Sequence, residues 1–447
     1  MTSGERTGIA RQGGGRSRRY KLIVASTVSF VLTLAVLPGL KWSLSYRPIF
    51  DDCGAHDGLV IGADVDLSPD FQRRAMIDEW NKGKPPDRRA TLVEVARSTD
   101  ATRSQLAAAL ASGSCAYDVL LVDVVWLPEY VRRGFLAEVE DSWLDRPNDF
   151  VLQTMRTGQW RGRQYAIPWF TDAGLLYVRR DRPPPAGWRD LLGQGYITQL
   201  KDYEGLTVNA LEVIWNTQHD PVLSGEIDKV DVGTARVVLR GLDRLAKANP
   251  RLLSHSRAYG EDESLQAFVA GRDPMRNWPY AFRQLTADQR VRDDFVVKKL
   301  PEAGFTVLGG WDLAVSARSK HRTEAVALIK FLTGADTQQK LFSCGGFPPS
   351  RTSAFEDPKP CADPKYSRDE QPSPRQFAEF AGVLAGSLYK AQRRPVTPYY
   401  AQFSETFRGC ITQLMDARAG AQGAREPSAE TLAAALTAAL HGRHGSC

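Results

Sequence analysis

Catalytic signatures are missing from these 447 residues. No G-x-x-x-x-G-K-S/T, G-x-S-x-G or H-E-x-x-H occurs, so the common phosphate-cradling, acyl-transfer and zinc-hydrolase arrangements are absent. Histidine is scarce: His56, His219, His255, His321, His441 and His444 stand at no metal-ligand spacing. Cysteine is equally sparse and forms no C-x-x-C pair, which argues against zinc. Asp64 to Asp70 imitates the start of an EF-hand loop. Pro69 stands where that loop needs Gly and Ala75 where it needs Glu, which excludes calcium there. No enzyme activity and no cofactor are expected. The chain also lacks a basic body. Its formal charge is +6, but residues 1–50 carry eight Lys/Arg and one Glu, leaving the remainder one charge negative. A neutral body cannot displace counterions from a phosphate backbone, so nucleic acid is not an expected partner.

What is present begins with a long apolar run. Arg16, Arg18, Arg19 and Lys21 precede Leu22–Leu40, 19 residues without a charge. As a helix this run would span roughly 28 Å, close to a bilayer core. Cations before such a run keep the N-terminus inside and send the rest out. The run is therefore expected to act as a membrane anchor, or as a signal segment if cut near Ser43-Leu44-Ser45. Either way the body is exported, on the outer face of the cytoplasmic membrane or secreted. All six cysteines (Cys53, Cys115, Cys344, Cys361, Cys410, Cys447) follow the run, and an even count in an oxidising compartment predicts disulfides. Fifteen pairings are open. Cys344 with Cys361 is attractive because it would staple a Pro- and Gly-rich loop.

With 43% hydrophobic and 25% charged residues the body reads as globular, and its length fits two domains or one two-lobed unit. Leu59–Ala63, Ala90–Ala96 and Tyr117–Val125 read as strands; Phe71–Asn81, behind Ser68-Pro69 as a cap, and Ser104–Ala111 read as helices. This alternation predicts an α/β fold with a parallel sheet, whose ligands bind beyond the carboxyl ends of the strands. Asp64, Asp66 and Asp123 stand at those ends. Further on, Gly174–Val178 and Phe305–Val315 read as strands. Helices are predicted over Leu206–Asn216, Ala235–Ala248, Ser264–Ala270, Glu324–Thr333, Pro374–Ala391, Tyr400–Ala417 and Glu430–Leu440.

Aromatic residues collect at turns: Ile167-Pro168-Trp169, Asn277-Trp278-Pro279-Tyr280 and Gly309-Gly310-Trp311. Loops at strand ends are where binding residues gather. A flat indole suits the C–H-rich face of a sugar ring, and Asp123, Asp172, Asn277 and Asp312 could accept its hydroxyl hydrogens.

The chain resembles the extracellular solute-binding proteins of carbohydrate ABC importers, the maltose/trehalose-binding family, from about Leu59 to Leu440. The segments carrying the resemblance include Tyr117-Asp118-Val119 with Asp123, Asp172–Tyr177, Tyr203-Glu204-Gly205-Leu206, Trp278-Pro279, Gly309-Gly310-Trp311, Gly346–Arg351 and Arg394–Tyr400. The resemblance implies a clamshell of two α/β lobes joined by crossing hinge strands. It would place residues 59–165 with about 305–345 in the N-lobe and 166–304 with about 346–440 in the C-lobe. Residues 1–21 would be a cytoplasmic basic tail, 22–40 the anchor, 41–58 a linker and 441–447 a tail. By position, Trp278 and Trp311 would be stacking platforms, Trp169 and Tyr280 further walls, Asp123 and Asp172 hydroxyl acceptors, and Arg351 a donor, with Gly310 at the platform turn. Expected partners are a small-molecule carbohydrate and ABC permease subunits, with the protein itself a monomer. A ligand-sensing ectodomain for a signalling partner is the alternative, and a glycosidase using two acidic residues a remote one.

Overall fold

The structure, a computed structural model, describes residues 57–363 and 371–447; the predicted anchor Leu22–Leu40 lies outside the described residues. Among the described residues no helix is long and apolar enough to cross a membrane.

The chain opens as the alternation predicts: β1 (Leu59–Ala63), α1 (Gln72–Asn81), β2 (Ala90–Glu94), α2 (Thr99–Ala111) and β3 (Val119–Asp123). β1 pairs in parallel with β2 on one side and β3 on the other. All five residues of β3 are buried, as a parallel strand covered on both faces requires. Ser68 caps α1, but through a longer loop than Ser68-Pro69 suggested. Its Oγ accepts the Gln72 N–H at 2.8 Å, Asp66 Oδ2 accepts the Arg73 N–H at 2.8 Å, and Phe71 before the first turn is left-handed.

The chain then crosses between two sheets. β4 (Ile167–Ala173) and β5 (Leu175–Arg179) are nearly continuous through Gly174. A compact region follows with α3 (Glu204–Gln218), α4 (Val232–Ala246), α5 (Glu261–Ala270), β6 (Met275–Asn277) and β7 (Phe295–Lys298). β5 pairs antiparallel with β6 and β7, forming the second, three-stranded sheet. β8 (Thr306–Val315) returns to the first sheet, lying antiparallel between β3 and β4. Helices α6 (Arg322–Leu332) and α7 (Ala335–Gly345) complete the first lobe. α8 (Pro374–Leu388), the short strand β9 (Ala391–Gln392), α9 (Tyr400–Arg418) and α10 (Ala429–Leu440) follow, α9 and α10 packing on α3 and α4. The architecture is thus α/β and two-lobed, with β4–β5 and β8 as the crossing strands. At the crossing the Gly174 N–H donates to Thr306 Oγ1 at 2.6 Å.

Two local differences have clear causes. Ile167-Pro168-Trp169 reads as a turn, yet it opens the strand Ile167–Ala173. β4 and β8 are in register up to Phe170 opposite Trp311, and then Pro168 lies opposite Asp312. Trp169 is the extra residue of a bulge, which is where a strand tolerates proline. Residues 347–351, assigned by sequence to the second lobe, pack on the first. Pro349 bridges Phe170 and Arg351 bridges Phe150.

Disulfides join Cys344 to Cys361, as the sequence suggested, and Cys410 to Cys447. Cys115 is also disulfide-bonded.

Candidate ligand-binding site

A cavity of about 90 Å³ lies where the crossing strands meet the carboxyl ends of β1, β2 and β3. Six of the residues expected at the site line it: Asp123, Asp172, Trp278, Tyr280, Gly310 and Trp311. β8 supplies Gly309, Gly310 and Trp311, with Trp311 directly opposite Asp123 on β3. Gly310 has φ 124°, and a Cβ there would stand 2.5 Å from the Phe170 carbonyl oxygen, so only glycine lets the two crossing strands approach. Gly309 serves the neighbouring indole. A Cβ there would meet Asp172 Cβ at 3.1 Å and Trp278 Cζ3 at 3.4 Å.

The two indoles are held differently. Trp311 leans on Trp126 edge-to-face, with ring centroids 5.1 Å apart. Trp278 has the Arg276 guanidinium over its ring at 4.0 Å, and that guanidinium is fixed by a bidentate pair with Glu212 at 2.7 Å. Each indole is partly exposed and faces the cavity.

Trp169 and Arg351 do not belong to the site. In β4 the side chains of Phe170 and Asp172, two residues apart, reach the cavity. Trp169, one residue off that period, is turned into the first lobe's core, where it is 1% exposed. Trp169→Ala should therefore cost about 3–5 kcal/mol of stability, read in a denaturant melt, and should remove no wall of the cavity. Arg351 is fully buried as a structural clamp. It donates to the carbonyls of Thr333 (2.5 Å) and Asp145 (2.8 Å), pairs with Asp149 at 3.3 Å and stacks on Phe150. Phe347, four residues earlier, takes a place in the cavity wall instead, 4.6 Å from Phe170 ring to ring. Asn277 and Asp312, named as possible acceptors, are both 1% exposed and line no part of the cavity.

Several lining residues went unnoticed in the sequence. Arg394 is the central one: its Nη2 donates to Asp123 Oδ1 at 3.1 Å and its Nη1 to Glu204 Oε1 at 2.7 Å. It thereby ties the end of β3 to the first turn of α3. Glu204 also accepts from the Tyr400 hydroxyl and from Ser404 Oγ. The sequence did hold a signal, since Tyr203-Glu204-Gly205 and Arg394-Pro395 both lie in segments that carry the family resemblance. Arg394→Met should destabilise the fold by about 3–5 kcal/mol, because two buried carboxylates lose their cation. Glu204→Gln in that background should return part of the loss, and thermal melts of both variants check it.

Burial dominates the electrostatics. It pushes the Asp123 carboxyl up to about 6, although Arg394 opposes the shift. Asp172 is raised well above the carboxylate range by burial, then by repulsion from Glu261 and Asp123. Glu261 is raised by burial while the Tyr280 hydroxyl, donating at 2.6 Å, holds it down. No lining residue is a histidine, cysteine or lysine. The arrangement offers flat apolar faces bordered by hydrogen-bond acceptors, which suits holding a ring with hydroxyls.

The profile of the family described as "Bacterial extracellular solute-binding protein" matches residues 69–339, more than half of the chain. This chain belongs to that family. A protein of Deinococcus radiodurans named "Probable ABC transporter-binding protein" is 28% identical over 391 residues, covering 76% of this solute-binding protein and 86% of the relative. Among solved structures, maltose-bound MalE3 of T. maritima superposes with a TM-score of 0.71 at 23% identity, covering 86% of this chain and 99% of that one. A solute-binding protein of Thermotoga Lettingae bound with alpha-D-tagatose gives 0.70 at 18% identity, covering 86% and 100%. At these identities the two structures establish the shared fold.

Proposed function

We propose that this solute-binding protein holds a sugar or oligosaccharide between its lobes and delivers it to an ABC importer, without altering it. The observation that carries the reading is the meeting of Trp278 and Trp311 at one cavity edged by Asp123 and Asp172. The ligands of the structural relatives, maltose and alpha-D-tagatose, agree with that chemistry. A ligand touching both lobes favours the closed arrangement only by its differential affinity for it. In this reading Leu22–Leu40 tethers a monomeric body to the outer face of the membrane, where permease subunits receive the solute. Calorimetric titration of the full-length protein against a glycan panel tests the proposal. One saccharide should bind with 1:1 stoichiometry; a folded protein that binds none would sink it.

A further inference from the structure

The charges around the cavity do not balance. Five carboxylates line it, and two guanidiniums close three of them off: Arg73 pairs with Asp64 at 2.5 Å, and Arg394 serves both Asp123 and Glu204. The third lining guanidinium, Arg97, is largely exposed and reaches outward to Asp262 at 3.8 Å. Asp172 and Glu261 remain. Asp172 is only 8% exposed, lines the cavity, and its Oδ1 has no hydrogen-bond partner among the described residues. Among the described residues Glu261 has the Tyr280 hydroxyl alone as a side-chain donor. Glu261 raises the proton affinity of Asp172 through repulsion that burial leaves poorly screened, and the nearby Arg276, which opposes that rise, is already committed to Glu212. The Tyr203 hydroxyl, in the same cavity wall, is also unpartnered among the described residues.

A neutral sugar would give these two carboxyls hydroxyl hydrogens and leave their repulsion in place. An ammonium group satisfies both with charge-assisted hydrogen bonds and cancels the excess. Its charge is also favourable beside the indole of Trp278. We infer that the solute is an amino sugar or another saccharide bearing a protonated amine, with the nitrogen held between Asp172 and Glu261. This rests on the reading of the cavity as a saccharide site and names the class of saccharide.

The test is calorimetry on the full-length protein at pH 7 with matched probes: glucose and glucosamine, galactose and galactosamine, mannose and mannosamine, cellobiose and the β-1,4 glucosamine dimer. In at least one pair the amino sugar should bind about tenfold tighter or more than its neutral partner. Asp172→Asn should reduce that preference to about twofold, and so should Glu261→Gln, whose site at the start of α5 tolerates the change should the first variant fold poorly. Equal or tighter binding of the neutral sugar in every pair would overturn the inference and leave the saccharide reading standing. Binding of no amino-sugar probe by a protein that binds a neutral glycan of the panel would overturn the inference alone; binding of neither would overturn both. Calcium chloride alone is the last probe: a calcium signal abolished by Asp172→Asn would assign the pair to a metal and overturn the inference.

Discussion

Trp311→Ala should weaken saccharide binding about thirtyfold, with a loss of stability well below that of Trp169→Ala. One indole face covers about 80 Å² of a sugar ring, and at about 25 cal/mol per Å² its removal forfeits about 2 kcal/mol. The fold loses less, because Trp311 is only partly buried and its main aromatic neighbour, Trp126, remains packed in the core. Trp169 has the opposite profile, buried among core side chains and absent from the cavity wall. Titration and thermal melts on the two variants separate the roles. If Trp169→Ala abolished binding with little change in melting temperature while Trp311→Ala bound normally, the site would be misplaced. Trp311→Phe should recover part of the affinity, because a smaller flat face remains.

Asp312→Asn should flatten the dependence of stability on pH. Asp312 is 1% exposed in the crossing strand, opposite Val122 and Pro168, and has no cation partner among the described residues. Burial pushes its carboxyl up to about 8. Its one side-chain hydrogen-bonding neighbour among the described residues is Thr157 Oγ1, 3.0 Å from Oδ2, and that hydroxyl is already 2.6 Å from the Thr154 carbonyl. A hydroxyl has one proton. When Thr157 gives it to Thr154, Asp312 must supply a proton of its own, which requires the neutral acid. The sign follows. Between the unfolded value, about 4, and the folded value of about 8, the native state binds a proton that the unfolded chain releases. Stability is greatest below that window and falls as pH rises through it, by up to about 1.4 kcal/mol per pH unit from this group. Asparagine presents an N–H to Thr157 at every pH. Calorimetric melts from pH 5 to 8 should show the wild type losing stability more steeply than the variant, and the variant the more stable at pH 8. Parallel slopes would mean that Asp312 is ionised in the folded protein.

How much of this was legible differs by element. β1 and β3 could be read because strands covered on both faces are continuous apolar runs, and Val119-Leu120-Leu121-Val122 is such a run, whereas the edge strand β2 is mostly half-buried. β6 and β7 were missed, being three and four residues long and carrying polar residues such as Arg276 and Asn277 within the strand. α7 was missed because its sequence, Ala335 to Gly345, carries polar residues and ends in a Cys-Gly-Gly stretch that reads as loop. At the site, the Gly-Gly-Trp and Trp-Pro-Tyr turns were visible because their chemistry is local. Trp169 was misplaced by a rule the sequence does contain: residues 169 and 172 are three apart and cannot share one face of a strand. Arg394, Glu204 and Glu261 were harder. Their value arises from pairing across 190 residues in one case, and from the lack of a cation in another, and neither is written in neighbouring positions.

A crystal structure of the full-length protein with a saccharide from the titration panel tests the site most directly. A sugar ring is expected against the indoles of Trp278 and Trp311, with hydroxyl or amine groups on Asp123, Asp172 or Glu261. A ligand seated elsewhere, with that cavity left to water, would contradict it.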